Sequence, residues 1–243
     1  MIYFKNYFLT GLLLISFSEV AQKITTLKPT RFINVAIPEP SDICYNSKTN
    51  TFYIVSDTGI LFETDSNAKI IRKIVQKDTD FEAVYSDDNK VYAVDETNRN
   101  IYIYDSTTFK EDKVINLPYN GGKNKGYEAF TYNTDNQKFI LLTEKDPIIL
   151  FELDLDFKIT KQTILNSIAK DISSAKYYHD FLWLLSDESM MLMKLNPNTY
   201  EVIQKWTLPV INPEGFAFDS NGNLIVTCDD MQRMYYFNNP EKK

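Results

Sequence analysis

Acidic residues recur at one place in this chain. Asp42, Glu82, Glu128 and Glu214 each stand second in a short motif: Ser41-Asp42-Ile43-Cys44-Tyr45, Phe81-Glu82-Ala83-Val84-Tyr85, Tyr127-Glu128-Ala129-Phe130-Thr131 and Pro213-Glu214-Gly215-Phe216-Ala217. Carboxylates brought together repel one another, and burial raises their pKa values. A hard cation relieves both costs. Calcium takes roughly 6–8 oxygen ligands in a flexible shell, whereas magnesium demands a tight octahedron, so carboxylates at this spacing point to calcium. The same acids would equally serve by accepting backbone amides at strand starts, which also offsets burial. A fifth copy, Ser173-Ser174-Ala175-Lys176-Tyr177, has serine in place of the acid and interrupts the set.

A second series of acids, Asp57, Asp95, Glu144, Asp187 and Asp229, follows five apolar runs. Arg99 and Arg233 lie four residues after Asp95 and Asp229, in a chain with four arginines. One reading is a mouth that binds a small polar or anionic ligand through bidentate arginines, with these seven residues around it. The other pairs each arginine with a nearby carboxylate, the commoner fate of a surface arginine. Nucleophilic catalysis finds little support. No Gly-x-Ser-x-Gly elbow occurs. The single histidine, His179, excludes a His-cluster zinc site. Cys44 and Cys228 are too few for a disulfide scaffold, and spacing does not fix a bond between them. The Gly121–Gly126 loop lacks the Walker spacing and reads as an insertion.

The elements that carry these residues repeat. The second motif residues fall at 42, 82, 128, 174 and 214, a period of about 40–46. Each unit holds four runs rich in Val, Ile, Tyr and Phe, parted by polar turns, which is the pattern of antiparallel strands. Four strands per such period make one blade of a β-propeller. The fifth unit supplies only three. Thr30–Pro38 resembles the fourth-strand segment Glu201–Pro209, so an N-terminal strand is expected to complete the last blade and leave no open edge. The fold predicted is all-β, a five-bladed β-propeller with four antiparallel strands per blade.

The series Glu39-Pro40-Ser41-Asp42, Asp80-Phe81-Glu82-Ala83-Val84, Tyr127-Glu128-Ala129-Phe130, Asp187-Glu188-Ser189 and Asn212-Pro213-Glu214-Gly215-Phe216 resembles the SdiA-regulated family of exported β-propellers. The likeness runs from about Thr30 to Phe237. It implies a periplasmic or secreted propeller with calcium near its axis, and no particular reaction.

Composition bounds the partners. A chain that is 44% hydrophobic and 24% charged is globular. Its net charge of −7 argues against nucleic acid and against anionic lipid. Residues 1–21 read as a signal peptide: Lys5, an uncharged run from Tyr7 to Phe17, then Ser16, Ser18 and Ala21. That run is too short to span a bilayer. Residues 22–243 are then a single propeller domain, periplasmic or secreted, without a transmembrane segment and monomeric. Two functions stay open. One is a binding module, with calcium in the channel and a small ligand or cell-envelope partner on one face. The other is a calcium-dependent hydrolase of lactonase or phosphoesterase type, with one of the glutamates as base.

Overall fold

Short apolar runs fold as strands here because polar turns of a fixed design break them. The computed structural model describes residues 24–87, 89–119, 126–165 and 167–242. The signal-peptide reading of residues 1–21, and the Gly121–Gly126 loop except Gly126, lie outside the described residues. Among those described there is no helix. A short β1 (Thr25–Thr26) and β2 (Pro29–Asn34) open the chain. Blade one is β3 (Pro40–Asn46), β4 (Thr51–Ser56), β5 (Ile60–Thr64) and β6 (Ile70–Val75). Blade two is β7 (Phe81–Ser86), β8 (Lys90–Asp95), β9 (Asn100–Asp105) and β10 (Glu111–Asn116). Blade three is β11 (Tyr127–Asn133), β12 (Lys138–Thr143), β13 (Ile149–Leu153) and β14 (Ile159–Ile164). Blade four is β15 (Ser174–Tyr178), β16 (Phe181–Ser186), β17 (Met191–Leu195) and β18 (Val202–Thr207). Blade five is β19 (Pro213–Phe218), β20 (Leu224–Cys228) and β21 (Arg233–Phe237), and β2 completes it.

The third-to-fourth turn of blades one to four uses one device. Asp65, Asp105, Asp154 and Asn196 accept backbone amides two to four residues on, as Asx turns do. Each turn ends in a residue of positive φ: Ala68, Phe109, Phe157 and Tyr200, at 60, 60, 62 and 60°. A bulky side chain in that region is strained. Burial holds it there, since all four are in the core. The first hairpin of blade four is tighter. His179 and Asp180 both have positive φ between the paired Tyr178 and Phe181, the geometry of a two-residue type I′ turn.

Burial falls outward along each sheet. The inner and second strands are almost wholly buried, while β10 and β14 on the rim are mostly exposed. Apolar side chains form five clusters, one between each pair of adjacent blades. One of these joins Ile43, Ile54 and Phe62 of blade one to Ala217, Ile225 and Met234 of blade five. The ring is therefore closed by packing as well as by β2, which pairs antiparallel with β21. β1 pairs parallel with β18, so the N-terminal segment straps blade four before completing blade five.

Candidate metal centre

Four of the five innermost strands carry a bulge at their start. Pairing with the second strand slips between Pro40 and Asp42, Phe81 and Ala83, Tyr127 and Ala129, and Pro213 and Gly215. The extra residues are Ser41, Glu82, Glu128 and Glu214, and Ser173 stands at the same level in blade four. A bulge re-aims the side chain it releases from the ladder. The next residues, Asp42, Ala83, Ala129, Ser174 and Gly215, pair with Val55, Val94, Leu142, Leu185 and Thr227. Asp42 is therefore equivalent to small residues in the other blades, not to the three glutamates.

One step past each second strand comes a complete ring of acids: Asp57, Glu96, Glu144, Asp187 and Asp229. Together with Ser41, Glu82, Glu128, Ser173, Glu214 and Asp171 they line a cavity of about 230 Å³ at one mouth of the channel. Nine of the eleven liners are carboxylates and two are serines; among the described residues no lysine, arginine or histidine lines it. Blade four, with serine at the bulge level, contributes Asp171 from two residues earlier.

Burial and mutual repulsion shape the charges. Desolvation pushes Glu82 well above the usual carboxylate range, and the charges of Glu128, Asp57, Asp80 and Glu214 push it further. Glu128 is raised by burial first, then by the charges of Glu96 and Glu144. Glu214 is pushed up to about 8, by burial and then by Asp229, Asp57, Asp171 and Glu144. Asp57, Asp171 and Asp229 are also raised, burial being the largest cause in each. The Ser41 hydroxyl donates to Asp57, and the Gly126 amide to Glu96 Oε1 at 2.8 Å.

Two groups bring carboxylate oxygens within 4.8 Å of one another: Asp57, Asp80 and Glu82, and Glu144, Asp171 and Glu188. The second is already served by Lys145, which pairs with Glu144 and Glu188 at 2.5 and 2.9 Å. Among the described residues the first makes no ion pair. An all-oxygen, anionic donor set suits a hard cation; it offers no thiolate or imidazole for a soft one.

The residues singled out from sequence divide. Glu82, Glu128, Glu214, Asp57, Glu144, Asp187 and Asp229 meet at this mouth. Asp42 lies deeper on the axis, fully buried, accepting from Lys176 at 2.6 Å, from Ser174 at 2.8 Å and from the Val84 amide at 2.9 Å. Asp95 ends β8 and holds its turn, accepting from the Asp80 amide, the Asn98 amide and the Asn98 side chain. Glu96 takes the place in the cavity expected for Asp95. Arg99 donates to the carbonyls of Glu96 and Thr97. Arg233 donates to Asn34 and lies over the Phe32 ring at 4.4 Å. Neither arginine is among the cavity liners. Asp95 pairs with Asn100 as Cys228 pairs with Arg233, so Arg233 matches Asn100 and the two arginines are not equivalent. Glu96 and Asp171 escaped the sequence reading. Aligning the second turns by length, 96–99, 187–190 and 229–232, would have found Glu96. Cys44 and Cys228 are both reduced and lie in different interblade cores.

A family model described as SdiA-regulated matches residues 21–238. Among solved structures, the fold is similar to the crystal structure of Myxococcus xanthus glutaminyl cyclase. The TM-score is 0.72 at 14% identity, over 89% of this chain and 98% of that one.

Proposed function

The chain belongs to the SdiA-regulated family, and on that premise we propose that its propeller is an exported binding module whose acidic mouth holds a calcium ion. The observation that carries this is the cavity of nine carboxylates and two serines with no cation among its described liners. Asp57, Asp80 and Glu82 would grip the ion, with Glu128 and Glu214 approaching across the mouth. Asp42 is left out of the set because Lys176 already neutralises it. The ion would supply positive charge at the mouth, to which a polar or anionic ligand or a cell-envelope partner attaches. Residues 1–21 would direct the chain to the periplasm or beyond, where calcium is plentiful enough for sites with Kd of about 10⁻⁴–10⁻³ M.

Calorimetric titration of the chelated protein with calcium and with magnesium tests the proposal. Calcium is expected to bind more tightly at pH 8 than at pH 6, because Glu214 must first release its proton. Absence of both binding heat and thermal stabilisation at millimolar calcium would overturn it.

A second reading has one observation in its favour. A carboxyl pushed up to about 8, beside others that burial and mutual repulsion also raise, is poised for general acid–base work. The solved relative is itself named as an enzyme, a cyclase. Turnover of a lactone and phosphoester panel with calcium, lost in chelator and in Glu214→Gln, would favour the hydrolase over the binding module.

A further inference from the structure

The channel has a second mouth, where the inner strands end. It holds a cavity of about 350 Å³, at the lower end of the range for small-molecule sites. None of the residues that line it also lines the acidic mouth.

Its floor is polar and its walls are aromatic. Lys176 lines it while only 7% exposed. An ammonium has three protons to donate, and two are placed, on Asp42 Oδ2 at 2.6 Å and on the Val84 carbonyl at 3.3 Å. Beside it the Thr131 hydroxyl accepts the Tyr177 amide at 2.9 Å, and the Ser86 hydroxyl accepts from Cys44 at 3.5 Å. Each hydroxyl keeps a proton to donate. Tyr85, Tyr177 and Tyr178 stand around this floor. The Tyr177 hydroxyl is held by Asp135 at 2.6 Å. The Tyr178 ring is stacked between His179 and Phe218, with centroids at 4.0 and 4.1 Å. The walls therefore offer fixed carbon surface.

Charge selects the guest. Asp42 neutralises Lys176, so an anion gains little at the floor, and the Asp219 carboxylate among the liners opposes it. A cation seated against the tyrosine faces would meet the ammonium before its counter-ion, since Lys176 lines the cavity and Asp42 does not. A wholly apolar guest would strand the third Lys176 proton and the two hydroxyls. A neutral ring with one C–H face and several hydroxyls satisfies all three constraints. We infer that this mouth binds a neutral saccharide ring, its C–H face against Tyr177 and Tyr85 and its hydroxyls on Lys176, Thr131 and Ser86.

Saturation-transfer NMR tests this with glucose, galactose, N-acetylglucosamine and maltose, alongside benzoate and choline as anionic and cationic probes. At least one sugar is expected to show enhanced ring C–H signals. The enhancement should fall several-fold in Tyr177→Ser, at a partly buried position of β15, and in Thr131→Val. It should persist in Tyr235→Ser in blade five and in chelator, because the acidic mouth takes no part. Melting curves establish that each variant is folded. No enhancement from any sugar at millimolar concentration overturns the inference. So does enhancement that survives both Tyr177→Ser and Thr131→Val, or binding of benzoate or choline alone.

Discussion

Lys176 of blade four and Asp42 of blade one form an ion pair across the propeller axis, with Nζ 2.6 Å from Oδ2 and both side chains shielded from water. Burial pushes the Asp42 carboxyl up, and the Lys176 charge, with bonds from Val84 and Ser174, pulls it back. A buried pair is of uncertain net value, but removing one partner strands the other. Lys176→Met is expected to cost about 3–5 kcal/mol, and the double variant with Asp42→Asn markedly less than the two single losses summed. Denaturant unfolding of the four proteins measures the coupling; additive losses would contradict it.

Gly215 makes room for that pair. A Cβ there would lie 2.5 Å from the Asp42 Cα and 2.9 Å from its Oδ1. A backbone atom cannot swing aside as a side-chain tip can. Gly215→Ala is expected to destabilise by about 1–3 kcal/mol, the usual penalty for overpacking. Alanine at the equivalent places in blades two and three shows that the fold itself tolerates a Cβ at this level. A thermal melt of Gly215→Ala checks the expected loss, and an unchanged melting temperature would contradict it.

The acidic mouth sets the pH response. Glu214 moves from an ordinary value of 4.5 to about 8 on folding, and Glu82, Glu128, Asp57 and Asp229 move in the same direction. Between those two values the folded protein keeps protons that the unfolded chain has released, so stability falls as pH rises. Above the folded value the loss is complete and the curve levels. Without a cation, the melting temperature is expected to drop from about pH 5 to about pH 8. Glu214→Gln should flatten that slope, and calcium should restore stability at the alkaline end. A melting temperature that climbs over the same range in chelator would contradict the assignment.

Phe157 tests the turn device of the blades. Its φ of 62° is strained, yet the ring is buried in the core between blades two and three. Phe157→Gly relieves about 1 kcal/mol of backbone strain and forfeits about 3–5 kcal/mol of ring burial. A net loss of about 2–4 kcal/mol is expected, and a gain would show that strain dominates.

Closure of the ring rests unequally on the two N-terminal strands. β1 contributes two exposed residues in parallel pairing, whereas β2 completes blade five and is followed by Val35 and Ile37, buried in the core between blades five and one. A chain beginning at Lys28 is expected to fold with a loss of about 1 kcal/mol. One beginning at Pro38 exposes the β21 edge and should aggregate. Size-exclusion chromatography and thermal melts separate these outcomes.

Strand number, blade number and terminal closure were legible because they rest on two strong periods, the alternation of apolar residues within strands and the recurrence of blades at 40–46 residues. Matching Thr30 to Glu201 was two residues out: Asn34 of β2 and Thr207 of β18 are the equivalents, facing Arg233 and Met191. A two-residue slip leaves every side chain on its own face, so the closing strand was found all the same. Matching Asp42 to Glu82, and Asp95 to Asp57, was one residue out, and a one-residue slip changes the face. The sequence by itself determined that carboxylates would crowd one mouth. Only the tertiary structure decided which ones, because the bulges and turn lengths that move a side chain by one residue leave almost no mark on composition. Tertiary structure likewise brought Lys176 to Asp42, from positions 134 residues apart, because ring closure and not chain distance sets which side chains meet on the axis.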